Sequence, residues 1–157
     1  SLSFTFLNIN LVYFSNYNGG NIMEEFQIWS IWSSNRIGTS LMGIGTILGV
    51  WLSMRIAMNT RNNPETNLFT KLVSSAFGII ILFAAWINFT LGVNTNISSA
   101  IALSQLKEEA GSISTVAEGY IDYIGTTDPV TMPLPLGIAF ILVSGIIILG
   151  QIWLPKK

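Results

Sequence analysis

The chain has 157 residues, of which 50% are hydrophobic and 10% charged, where a typical soluble domain carries roughly 25% charged residues. Seven basic against eight acidic residues leave a net charge of -1, which excludes the strong positive field of a nucleic-acid binder. With zero Cys and zero His, these residues hold no disulfide, no thiol nucleophile, no Ser-His-Asp triad and none of the usual soft or imidazole metal and haem ligands.

In chain order, residues 1–14 are apolar and aromatic but lack the basic leader and small-residue cleavage site of a signal peptide. Met23 opens a charged, helix-friendly stretch, and Asn18-Gly19-Gly20 is compatible with purine-rich coding just before it. Residues 1–22 are therefore expected to be an untranslated or disordered extension, and residues 23–157 a single domain. The rival reading is a hydrophobic or strand-like arm on the outer membrane surface.

Residues 37–54 contain no charge and predict the first transmembrane helix, between Arg36 and Arg55; at ~1.5 Å per residue they cover about 27 Å, against about 30 Å of hydrocarbon in a bilayer. The segment Ser33-Ser34-Asn35-Arg36 is expected to cap it. Residues 72–93 predict a second span, long enough to cross with some tilt. Residues 134–154 predict a third, entered through Pro133 and Pro135 and closed by Pro155. Between the second and third spans, residues 94–132 form the one sizeable segment outside the bilayer. Within it, Asn96 or Ser98 is expected to cap a short helix ending at Gly111. Thr115-Val116-Ala117-Glu118 resembles a capping box, opening a second short helix that stops at Gly125. Three prolines then return the chain extended to the membrane.

Five of the seven basic residues, Arg55, Arg61, Lys71, Lys156 and Lys157, fall on one side of these spans. By the positive-inside rule that side is cytoplasmic. The expectation is an all-α membrane protein of three transmembrane helices, N-terminus out and C-terminus in, with a short acidic helical cap between helices two and three. All five tryptophans fall near interfacial levels, as their amphipathic rings prefer.

Small residues recur at Gly45, Gly49 and Ser53, four apart on one helix face, and again at Ser74 and Gly78. Such spacing lets a neighbouring backbone approach closely, either a partner's or that of the other spans of the same bundle. Inside the spans no ionisable residue appears, which argues against a pump or proton-coupled transporter. Asn88 and Gln151 are the strongest polar groups there, suited to interhelical hydrogen bonds or, in an oligomer, to a polar lining. Outside, Glu108, Glu109, Glu118 and Asp122 form an acidic surface. Glu118 and Asp122 share a helix face, where like charges repel unless a cation intervenes. Arg36 suits headgroup contact, or pairing with Glu24, Glu25 or an outer acid.

No catalytic residue, cofactor or metal site is expected. The expected partners are the lipid bilayer and a larger membrane complex, with self-association as the other possibility and nucleic acid excluded. Function is expected to be that of a non-catalytic accessory or assembly subunit in a prokaryotic inner membrane, docking through Gly45, Gly49 and Ser53 and the acidic cap. The alternative is a small homo-oligomeric channel or transporter component.

Overall fold

A computed structural model describes residues 25–154. The expectations for residues 1–22, Glu24, Lys156 and Lys157 lie outside them. Every regular element among the described residues is a helix: α1 (Glu25–Asn62), α2 (Leu68–Ala110), α3 (Thr115–Ile124) and α4 (Pro135–Trp153). α1, α2 and α4 are long and apolar enough to cross a membrane, and the chain reads as a membrane protein built by helix packing.

α1 and α2 form an antiparallel hairpin across the short turn at residues 63–67. Asn67 caps α2 by accepting from the Thr70 N–H at 2.9 Å, and the Thr66 hydroxyl donates to the Thr60 carbonyl at 2.7 Å. Two polar rungs hold the register: Thr60 Oγ1 and Ser74 Oγ share a hydrogen bond at 2.8 Å, and Asn88 Nδ2 donates to Thr46 Oγ1 at 2.8 Å. α4 starts at Pro135, whose fixed φ and missing N–H suit the first helical turn. It lies antiparallel to α2, with Ile148 seated on Gly78 and the Trp153 indole donating to Ser75 Oγ at 2.9 Å. Ala57, Ile148 and Ile152 form the buried centre of this three-helix part.

Two expected breaks are absent. The Ser33-Ser34-Asn35-Arg36 segment is helix interior, because the Ser30 and Ser34 hydroxyls donate to carbonyls one turn back, Phe26 and Ser30, instead of capping a new start. α2 likewise runs through residue 94 to Ala110. Asn94, Asn96 and Ser99, which sequence reads as exposed loop or cap, face inward. Asn94 exchanges two hydrogen bonds of 2.9 Å with the Val130 backbone, and Asn96 Oδ1 accepts from the Trp32 indole at 3.2 Å. α1 and α2 contain 38 and 43 residues, about 57 and 64 Å at ~1.5 Å per residue, so both are far longer than one bilayer crossing.

At the end opposite the turn, α3 packs across α1 and α2 over a second core of Ile28, Leu103, Leu106 and Ala117. Trp29, Trp32 and Tyr120 stack edge to face at centroid distances of 5.2–6.1 Å. These two tryptophans are therefore packing residues, and their indole N–H groups are used by Glu25 and Asn96. α3 ends at Gly125 and α2 at Gly111, both in the left-handed conformation with φ of 68° and 77°, as their sequence positions predict. The cap of α3 is Ser114, one residue before the expected Thr115: its hydroxyl accepts from the Ala117 N–H at 3.1 Å.

Candidate functional site

The small-residue face of α1 divides between the bundle and the outside. A methyl group at Gly49 would lie 3.1 Å from Ile81 Cγ2 on α2, so this glycine already holds a neighbour. Ser53 is buried, its hydroxyl donating to the Gly49 carbonyl at 2.9 Å. Gly45 differs, for nothing lies within 4 Å of a methyl placed there, and the same holds at Gly38. On α2, Ser74 is consumed by Thr60. Gly78 admits Ile148 so closely that a methyl would sit 2.7 Å from its Cγ2. Four of the five expected docking residues thus close the bundle on itself, and Gly45 alone remains open.

The exposed side of α1 has a second pattern. Ile37, Leu41, Ile44, Leu48 and Trp51 are each 55–63% exposed and follow one another at intervals of four and three residues. That 3.5-residue period forms one continuous seam along a helix, the spacing that lets a second helix pack along it. Arg55 continues the seam at the next interval of four, its guanidinium carbon 5.5 Å from the Trp51 ring centroid. Beside the turn, Lys71 Nζ stands 5.7 Å from the Trp153 ring.

Asn88 and Gln151 do not converge. Asn88 is buried between α1 and α2, its amide nitrogen on Thr46, while Oδ1 has no partner; Gln151 Oε1, toward the turn end, is also buried and unpartnered. The Thr46 hydroxyl donates in turn to the Met42 carbonyl at 2.9 Å. Asn88 thus makes one interhelical polar contact, of the kind that helix packing in lipid uses, and Gln151 stands apart from it.

At the α3 end, Lys107 Nζ pairs with Glu118 Oε1 at 2.7 Å, both side chains exposed. Hydrogen bonding and attraction to Glu118, helped by Asp122, raise the Lys107 ammonium above its ordinary value. The cation that relieves the Glu118–Asp122 repulsion is thus supplied by α2. Glu108 and Glu109 are exposed at the end of α2. Sequence reasoning missed Glu25 as a structural group: its carboxylate accepts from the Ser114 hydroxyl at 2.6 Å, the Ser114 N–H at 3.0 Å and the Trp29 indole at 3.0 Å. The Ser114 hydroxyl, then Trp29, then the Ser114 N–H hold this carboxyl below the usual glutamate range. With Ser114 as the cap, the third helical residue is Ala117 and not Glu118, and the cap's own N–H is taken by Glu25. Arg36 makes no ion pair among the described residues, where Lys107–Glu118 is the only one.

No cluster of three or more carboxylate donors converges among the described residues. What the surface offers is an apolar seam ending in a cation, and an acidic far end. No protein-family model, curated protein or solved structure matches the chain.

Proposed function

We propose that the chain is a non-catalytic accessory or assembly subunit of a larger complex in a prokaryotic cytoplasmic membrane, threaded with the start of α1 outside and the end of α4 inside. The observation that carries this reading is the seam on α1. Thr46, Gly49, Ser74, Ser75, Gly78 and Asn88 are spent on α1–α2 and α2–α4 contacts, whereas Ile37, Leu41, Ile44, Leu48 and Trp51 lie open at helix-packing spacing. Orientation is supported by charge: Arg61 and Lys71 flank the turn, and Glu108, Glu109, Glu118 and Asp122 lie at the other end. On this threading α3 and the far ends of α1 and α2 form an acidic outer cap on a rigid helical stalk.

The test is purification from native membranes in mild detergent. The accessory reading expects stoichiometric larger subunits, released by Gly45→Leu or Leu48→Asn. Gly49→Leu is unsuitable, because it strikes Ile81 within the bundle. A clean homo-oligomer that conducts ions in liposomes would instead establish the channel reading, whose best support is the unpartnered Asn88 carbonyl.

A further inference from the structure

Arg55 is set deeper in the bundle than a flanking charge should be. Thr60 pairs with Ser74 and Thr46 with Asn88, so Arg55, five residues before Thr60, stands level with Ile79, five residues after Ser74. Ile79 and Ile80 are exposed apolar surface. On the other neighbour, Ile148 seats on Gly78 and brings the equally apolar Ile147 to the same height. Seven residues separate Arg55 from the end of α1 at Asn62, about 10 Å of helix rise. Helical side chains lean toward the N-terminus, and the guanidinium lies over Trp51, one turn farther from the end where Arg61 and Lys71 sit. It therefore points toward the middle of the apolar zone, away from the nearer headgroup layer, and no carboxylate among the described residues pairs with it.

From this we infer that Arg55 is the charge-matching point for one transmembrane helix of another protein, packed along the α1 seam and carrying an Asp or Glu within its own apolar span. The inference rests on the accessory-subunit reading and narrows it to a partner of stated chemistry. The 3.5-residue spacing of Ile37, Leu41, Ile44, Leu48, Trp51 and Arg55 calls for a helix as occupant. A cation placed in hydrocarbon calls for a carboxylate opposite it. A second copy of the chain does not fit, because its apolar spans hold no acid and a parallel copy sets Arg55 against Arg55. A lipid phosphate does not fit either, being on the side from which the guanidinium is turned away.

A photo-crosslinking amino acid at Leu48, in membranes of cells that natively make the chain, tests this. The captured peptide is expected to be a hydrophobic span containing Asp or Glu. Arg55→Glu is expected to cut capture at least about tenfold, Arg55→Lys to retain most of it, and exchange of the partner's acid for Arg to restore capture by Arg55→Glu. Folding is followed separately by a disulfide between Thr60→Cys and Ser74→Cys, which must form equally in each variant. Capture of an uncharged partner span, unchanged in Arg55→Glu, would overturn the charge match while leaving the accessory reading standing. Capture of a second copy, or of lipid alone, would overturn both.

Discussion

Gly78 and Gly45 are the same residue in opposite surroundings. A methyl at Gly78 would stand 2.7 Å from Ile148 Cγ2, and a β-branched side chain in a helix has little rotamer freedom with which to yield. Gly78→Ala is expected to destabilise the bundle by about 1–3 kcal/mol through overpacking. Gly45→Ala meets nothing within 4 Å and is expected to be neutral, or stabilising by up to about 1 kcal/mol through helix propensity. Thermal unfolding in detergent micelles checks the pair, and the reverse order would contradict the packing described. Asn88→Leu gives up one bond to Thr46 but also removes the buried, unpartnered Oδ1. Its stability is expected to stay within about 1 kcal/mol of the parent in the same assay; a much larger loss would mean that Asn88 does more than join α1 to α2. At this scale the sequence showed which positions are small or polar. It did not show which of them face the molecule's own neighbours, since that depends on rotation and register between helices far apart in the chain.

α3 is tied down at its start by a residue of a distant helix, in addition to the core on which it packs. Ser114 caps it and at the same time donates twice to Glu25, 89 positions away. Ser114→Ala is expected to weaken α3 by about 1 kcal/mol through loss of the cap, and by more through loss of the hydroxyl bond to Glu25, the backbone bond remaining. The readout is faster amide hydrogen exchange across residues 115–124 with the three long helices unchanged. The pH dependence has a definite sign. Glu25 titrates lower when docked than when free, so its contribution is complete above the ordinary glutamate value, about pH 4.3, and is lost as pH falls through the depressed value. Protection of α3 is expected to hold from neutral pH down to that point and to drop below it. Glu25→Gln should remove this acid step, and a decline already under way near neutral pH would contradict the assignment. Helix ends at Gly111 and Gly125 were legible because a left-handed residue leaves a local mark. The continuity of α2 through Asn94 and Asn96 was not, because those amides act as caps or as interior contacts depending on what the fold brings beside them, here Val130 and Trp32.

At the scale of the whole molecule, the described residues form a three-helix bundle at one end and a two-helix stalk under α3 at the other. The three long apolar helices were legible from uncharged runs, but the relative heights of the charges were not. Arg55 closes the uncharged run of α1, yet antiparallel pairing sets it beside Ile79, inside the uncharged run of α2. Insertion scales assign an arginine about 2.5–3.5 kcal/mol of cost at the centre of a span, an upper bound for Arg55 about 10 Å from the helix end, and a partner carboxylate would offset it. Everything rests on lipid surrounding three helices, with the turn and α3 on opposite faces of the membrane. Because the chain contains zero cysteines, single substitutions test this directly with a membrane-impermeant maleimide on intact cells. Tyr123→Cys on α3 is expected to react from outside, Glu65→Cys in the turn only after permeabilisation, and Leu48→Cys under neither condition. Reaction of Glu65→Cys from outside, or of both surface positions from the same side, would contradict the account.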